Sequence, residues 1–362
     1  MPDTLRSKSP LELTATERSA WAAIQLADRT FESPYFHPGW TEAVASVRDG
    51  VHVLVIDDAE GQPVGFWPYE RREGTAVAVG APLNDYQGAI VRPGVSLDVA
   101  AVLDAAGVGR WHFDHLLASQ SGLDDFEEQS DSSPYLDLSG GVDGYLQSCG
   151  KNGRRQYKSI QKKGQKAVAE LGPARFESDC RDPAVLEQVI EWKSAQYRAT
   201  NLPDVFAVDW TRDLLARLHG DRSEGDAFGG RLAALWLGDR LAAAHFGMRS
   251  GPVVHWWFPT YDEELAEHSP GWQLLVAMVE AAEADGIDRI DLGKGMSQFK
   301  RKAMSGEIAL REGLIEPSPI RRAIRRTGLT VKQRLKQSGL RTALRGPASW
   351  LFHRSVNRTL ES

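Results

Sequence analysis

Only two of the 362 residues are cysteine, Cys149 and Cys180. They make neither a close metal-ligand pair nor a disulfide framework, which fits a reducing compartment and leaves both incidental. No continuous apolar run approaches the roughly 20 residues that cross a bilayer. The N-terminal stretch MPDTLRSKSPLELTATE has no apolar centre of the kind a signal peptide needs. A cytoplasmic location is therefore expected. No visible ligand set provides for a metal or a redox cofactor, and none is expected. What is present is ordinary globular material, 42% hydrophobic and 25% charged, of a length that favours two domains.

Charge is divided unevenly. From Ser318 to Ser362 eleven Arg or Lys stand against one Glu, a net +10, which leaves −16 on the rest of a chain whose formal charge is −6. In that tail Ile324, Leu329, Val331, Leu335, Leu340 and Leu344 recur at roughly helical spacing among the basic residues. Such a helix suits an anionic membrane surface, a nucleic acid or an acidic partner, and equally it suits the acidic body of the same chain. A second basic stretch lies at 145–172, with Lys151, Arg154, Arg155, Lys158, Lys162, Lys163 and Lys166, several of them three or four apart and so sharing a helix face. It reads either as a phosphate-binding face or as a solvated one.

Periodicity reveals a duplicated layout. Residues 51–58 (VHVLVIDD), VGFWPYERR and GTAVAVGAP form a meander of three strands joined by tight turns, and 230–262 repeats it. Each meander is followed by a loop, a helix and a short strand: GVSLDVAAVLDAAG leads to RWHFDHL, and PGWQLLVAMVEAAEADG leads to IDRIDLG. A crossover helix after a meander makes a mixed, mostly antiparallel sheet of α+β type. The expected division is 1–138, 139–317 and the basic tail 318–362, with the join near Asp137 to Gly144. FESDCRDPAVLEQVIEWKSAQYRATN then reads as a strand and a helix capped near Asp182, with Pro183 in its first turn.

The second long helix opens unusually, at His268-Ser269-Pro270-Gly271-Trp272. Pro at the first helical position sacrifices no hydrogen bond, and Ser269 is a good capping residue. Gly271, a poor helix former, lets a ligand come close to the exposed amides of the first turn. An anion held there and a plain, well-capped amphipathic helix both fit the pattern.

Three stretches within 145–305 carry a family resemblance: GYLQSCGKNGRRQYKSIQKKGQK, GDRLAAAHFGMRSGPVVHWWFPTYDEELAEHSPGWQLLVAMVEAA and IDRIDLGKGMSQFKRKAM. In this order they resemble the CelD/BcsL-like acetyltransferase domain of the GNAT superfamily, a group related to the FemABX transferases with their paired GNAT domains. About half the chain is covered, and the first half fits as a degenerate partner. The resemblance implies tandem GNAT-like domains and acetyl-CoA, or another acyl-CoA, as co-substrate without a metal. It places the acyl-CoA in a splayed gap between adjacent strands, with its pyrophosphate on the helix opening at Ser269. The coenzyme-binding residues would be Phe258, Thr260, His268, Ser269, Gly271, Trp272 and Gln273. Superfamily loops here usually bear Arg or Gln with several glycines, whereas this chain offers Gly271 and a donorless Pro270.

Acyl transfer from a thioester to an amine needs a neutral amine, a polarised carbonyl and a proton for the leaving thiolate. A backbone N–H of VVHWWFP, interrupted by Pro259, can meet the carbonyl. Asp291, at the end of IDRIDLG, stands where the resembling family has an acidic residue beside the gap, and is the candidate base. His245 and His255, on adjacent strands, are further candidates and otherwise core residues; with no third ligand evident they make no zinc site. Lys300 matches a family lysine, but Phe299 stands where a tyrosine acid is expected, which leaves Tyr261 as the nearest substitute. His255 to Phe258, with Trp272 and Trp236, are aromatic enough to wall an acyl or sugar pocket or to fill a core.

Three functions follow. The first is an N-acyltransferase acting on a small-molecule or saccharide amine, such as an amino sugar or a cell-envelope polysaccharide precursor. The second is a FemX-like aminoacyl transferase whose helix from Lys151 to Lys166 holds an aminoacyl-tRNA end, which net acidity opposes, so nucleic acid is not the expected partner. The third is a non-catalytic accessory protein of polysaccharide synthesis. In each, residues 318–362 are available for peripheral contact with an anionic membrane.

Overall fold

The computed structural model describes residues 4–120, 122–220 and 228–316, so the basic tail at 318–362 lies outside the described residues. The strands are β1 (Thr4–Lys8), β2 (Val51–Asp57), β3 (Pro63–Arg72), β4 (Thr75–Val77), β5 (Ile90–Val91), β6 (Arg110–Leu117), β7 (Glu127–Asp137), β8 (Ala174–Glu177), β9 (Phe228–Leu237), β10 (Arg240–Ser250), β11 (Val253–Tyr261), β12 (Arg289–Asp291) and β13 (Gly306–Ile315). The helices are α1 (Ala15–Ala27), α2 (Pro38–Ala45), α3 (Val99–Ala105), α4 (Gly141–Ser148), α5 (Gly150–Leu171), α6 (Pro183–Ala199), α7 (Asp209–Gly220), α8 (Pro270–Ala281) and α9 (Gln298–Ala303).

Both meanders form where alternation places them, although the third strand of the first is cut to Thr75–Val77. The helix at Asp182-Pro183 also forms, with the Asp182 carboxylate accepting from the Ala184 amide. The basic stretch at 145–172 is divided between α4 and α5 at Gly150, whose φ of +70° breaks the helix.

One continuous sheet runs β1-β2-β3-β4-β6-β13-β7-β12-β11-β10-β9-β8, with β5 beside β3. This order is palindromic: β1 corresponds to β8, β2 to β9, β3 to β10, β4 to β11, β6 to β12 and β7 to β13. Each half has one parallel pair, β4 with β6 and β11 with β12, and the other pairings are antiparallel. The duplication is therefore a tandem GNAT-like arrangement of mostly antiparallel sheets flanked by helices. The halves also exchange strands: β13 lies between β6 and β7, and β7 lies between β13 and β12.

Apolar side chains on the two faces of the sheet bury against different helices. One face carries α1, α2, α6 and α7 on a core shared by both halves, including Trp21, Trp40, Val189, Leu214 and Phe246. Opposite it, Leu274, Leu275 and Val279 of α8 pack with Ala233, Trp256 and Ile290, while Val102 and Leu103 of α3 pack with Trp67 and Trp111. Burying a large apolar side chain contributes about 1.5–3 kcal/mol, and this fixes which face each helix covers. No described helix is long and apolar enough to cross a membrane.

Candidate functional site

β11 and β12 pair only at Val253↔Arg289, Val254↔Ile290 and His255↔Asp291. Beyond that point β12 ends, while β11 continues through Trp256 to Tyr261. The strands part there around a cavity of about 580 Å³, lined among others by Trp256, Trp257, Tyr261, Gly271, Lys300 and Asp85. The gap passes through the sheet. Trp257 joins the core beneath α6, whereas Trp256, with Trp272 and Phe299, joins the core beneath α8. Trp272 and Phe299 lie 4.4 Å apart between ring centroids, forming the aromatic wall on the α8 side.

At the mouth on the α8 side the structure corrects the assignment of Ser269 as a side-chain cap. Ser269 has φ 57° and ψ 52°, and its hydroxyl makes no capping bond. A cap needs extended backbone to aim its oxygen at the first-turn amides, and this left-handed residue turns it away. The Ser269 Oγ instead bonds Lys163 Nζ at 2.8 Å. The Trp272 and Gln273 amides donate to the Ser269 carbonyl, so Gly271 is left as the first-turn amide that faces the cavity. A positive helix end bare of side-chain caps, with a lysine nearby, fits an anionic diphosphate.

The first half treats its corresponding features differently. β4 and β6 pair only at Thr75↔Arg110 and Ala76↔Trp111. Past that point the chain's own loop fills the gap: the Gln87 amide donates to the His115 carbonyl, and Gln87 Oε1 accepts from the Asp114 and His115 amides. At α3 the Asp98 carboxylate caps the Ala100 and Ala101 amides, placing a negative charge where a diphosphate would lie. The loop thus occupies the gap between β4 and β6, and a smaller cavity of about 260 Å³ remains beside the start of α3, between Trp67, Val99 and Trp111.

The loop that fills the first gap reaches into the second. Asp85 Oδ2 bonds His255 Nε2 at 2.8 Å, and its Oδ1 lies 3.4 Å from His115 Nε2, whose other nitrogen is 2.9 Å from Asp114. Gly293 permits this approach, because a Cβ there would press on the Asp85 carboxylate. Burial acts to raise the Asp85 pKa, but hydrogen bonds from His115 and His255 outweigh it and hold the group well below its ordinary value. His115 responds in the opposite sense: burial lowers it, while Asp114 and Asp85 raise it to about 9.

Asp291 and His255 are both fully buried, and neither is in the cavity lining, which Asp85 reaches. Asp291 accepts from Tyr86 at 2.5 Å, Ser133 at 2.9 Å and the Gly293 amide at 3.0 Å, and it lies 3.9 Å from His255 Nδ1. His245 turns elsewhere. The β10–β11 ladder has a bulge in which Gly247 faces both Trp256 and Trp257, and the freed Trp257 amide donates to His245 Nε2 at 3.1 Å. The interruption thus falls at the bulge, while Pro259 stays in register with His245. Burial, then the neighbouring His255, lowers the His245 pKa to about 3, so this ring is a neutral acceptor.

Of the remaining candidates, Thr260, Tyr261, Ser269, Gly271, Trp272 and Lys300 line the cavity. Lys300 donates to the Gly293 and Lys294 carbonyls at 2.9 and 2.8 Å. Phe258 lies in the core against Phe206, Gln273 donates to the His268 carbonyl, and His268 Nε2 lies 3.5 Å from Glu170, so these three are not among the lining residues. Trp236 also lies away from the cavity, beneath the Arg175 guanidinium. The sequence reading did not select Asp85, Lys193 or Gln196, which line the cavity from a loop and from α6. The only sequence signal for Asp85 is the polar run NDYQ between apolar segments.

Residues 154–301 match the Acetyltransferase (GNAT) domain family. No curated protein matches the chain. Among solved structures it is similar to FemX, at 10% identity and a TM-score of 0.58, over 85% of this chain and 96% of that one. It is also similar to the C-terminal domain (DUF2156) of a putative lysylphosphatidylglycerol synthetase from Agrobacterium fabrum, at 12% identity and a TM-score of 0.53, over 87% of this chain and 96% of that one. These likenesses concern the fold. Residues 154–301 are thus matched in sequence as an acetyltransferase (GNAT) domain, and the open strand gap lies within it.

Proposed function

We propose that the chain transfers an acyl group from acyl-CoA to the amine of a small acceptor, at one site in the second half. The observation that carries this reading is the gap beyond His255↔Asp291, open to a helix end without a side-chain cap, beside a first-half gap filled by its own chain. Residues 139–317 form the coenzyme-binding unit. Residues 1–138 form a degenerate partner that contributes Asp85.

In this mechanism the thioester lies across the gap with its diphosphate at the amide of Gly271. The acceptor approaches from the α6 side, and Asp85 meets its ammonium. After one proton is lost to solvent, the amine nitrogen bonds the thioester carbon and the carbon–sulfur bond breaks. The proton displaced from nitrogen passes to the Asp85–His255 couple, with Asp291 positioning His255. Tyr261 supplies the proton that the thiolate takes up and regains one from solvent. Lys300, tied to two carbonyls, fixes the turn after β12.

The acceptor class rests on the resemblance: an amino sugar or a precursor of a cell-envelope polysaccharide, modified in the cytoplasm, with residues 318–362 making peripheral contact with anionic lipid. Acetyl-CoA should raise the melting temperature by mass action, and no shift at millimolar acetyl-CoA would refute the reading. A second reading, aminoacyl transfer, draws on the exposed basic residues of α5, including Lys151, Arg155, Lys158 and Lys162. Stabilisation by aminoacyl-tRNA but not by acetyl-CoA would favour it.

A further inference from the structure

We propose that the acceptor is an amine that also bears an acidic group, a carboxylate or a phosphate, and that Lys193 binds this group at the α6 face of the cleft. The inference rests on the acyl-transfer reading.

Lys193 lines the same cavity as Asp85. Its ammonium donates to Gln196 Oε1 at 2.9 Å and lies 5.9 Å from the centre of the Tyr197 ring. Among the described residues it has no carboxylate partner, unlike Lys294, Arg240 or Arg289, each of which forms an ion pair. Burial alone brings its pKa down to about 8, with no neighbouring carboxylate to offset the cost. A partly buried ammonium facing a cavity without a counter-ion is a receptor for one.

The coenzyme is poorly placed to supply that anion. Its diphosphate site is at α8 on one face of the sheet, whereas α6 packs on the other, through Val185, Leu186, Val189 and Ile190. Gln196, one turn along from Lys193, lines both this cavity and a neighbouring one of about 440 Å³ bounded by Gln188, Trp192 and Tyr261. The α6 mouth therefore presents a carboxylate for an ammonium and a lysine for an anion. A neutral amine would leave the lysine unmatched.

The test uses the full chain, acetyl-CoA and two acceptor pairs: L-alanine with L-alaninamide, and glucosamine 6-phosphate with glucosamine. Thiol release gives kcat and KM, thermal shift gives binding to the acetyl-CoA complex, and calorimetry gives the acetyl-CoA Kd. In at least one pair the acidic member should be preferred by about tenfold or more in kcat/KM, consistent with a hydrogen bond to a charged group. The pair that discriminates distinguishes carboxylate from phosphate. Lys193→Ala should raise KM for the acidic member about tenfold, with kcat, the neutral member and the acetyl-CoA Kd nearly unchanged, and Lys193→Arg should recover part of the loss.

Equal use of both members, equal damage to both by Lys193→Ala, or no acidic amine either turned over or bound would overturn the proposal. Loss of acetyl-CoA affinity in Lys193→Ala would also overturn it, by assigning the lysine to the coenzyme while leaving acyl transfer intact. Failure of the wild-type chain to bind acetyl-CoA would instead remove the underlying reading.

Discussion

Replacing Gly271 with Asp should make the protein more stable and its coenzyme binding weaker, and the opposite signs make this a sharp test. Gly271 is the second residue of α8, in a first turn that bears no acidic residue. Aspartate there gains about 0.3 kcal/mol of helix propensity over glycine and about 0.3–1 kcal/mol from the positive helix end. The new Cβ would lie 3.3 Å from the Tyr261 ring, which is 40% exposed and free to give way. A melting temperature higher by about 2 °C is expected. For a diphosphate the same carboxylate is repulsive. At about 5 Å, each pair of charges costs about 1 kcal/mol in a water-like medium and about 3 kcal/mol at an effective dielectric constant of 20. Two phosphate charges therefore raise the acetyl-CoA Kd by at least about tenfold, and added salt relieves part of the loss. Calorimetry on wild type and Gly271→Asp, with melting curves of both, gives the two quantities. An unchanged Kd in a variant of raised melting temperature would show that no anion sits at this helix end, and the mechanism built on it would fall.

Asp85→Asn should lower kcat about 100-fold or more with any acceptor the wild type uses, and leave the acetyl-CoA Kd within about twofold; a kcat within threefold of wild type would remove Asp85 from the chemistry. His115 has its folded pKa raised to about 9 from an ordinary 6.5, so its stabilising contribution is complete below pH 6.5 and is lost as pH rises through 9. Melting curves from pH 6 to 9.5 should show a steeper loss for wild type than for His115→Gln, and parallel curves would contradict this. Gly247→Ala should destabilise by about 1–3 kcal/mol, because a Cβ there collides with the His255 carbonyl and the His245 ring; an unchanged denaturation midpoint would mean that the bulge adapts freely.

What could be read in the sequence was what local chemistry dictates. Val51 to Asp57 and the 230–262 meander alternate and turn at Gly and Asp, so β2, β3, β9, β10 and β11 were visible, as was the run of Leu274, Leu275, Val276 and Val279 that buries α8. β7 and β13 were not visible. In EEQSDSSPYLD the polar residues outnumber the apolar, because this strand is stabilised by its position between β13 and β12 rather than by its own pattern. Side-chain roles failed to show wherever one backbone angle or one register decided them. At φ 57° Ser269 cannot act as the cap its identity advertises, and one bulge opposite Gly247 turns His245 to the Trp257 amide while His255 reaches Asp85. Asp85 illustrates the limit most clearly. Its place in the cavity lining comes from contacts distant in sequence: Gln87 accepts from the Asp114 and His115 amides, and the Leu83 carbonyl accepts from Tyr35 and Trp257. Filling that gap and supplying that carboxylate are one structural event. A duplicated fold can therefore let one half place a carboxylate in the strand gap of the other.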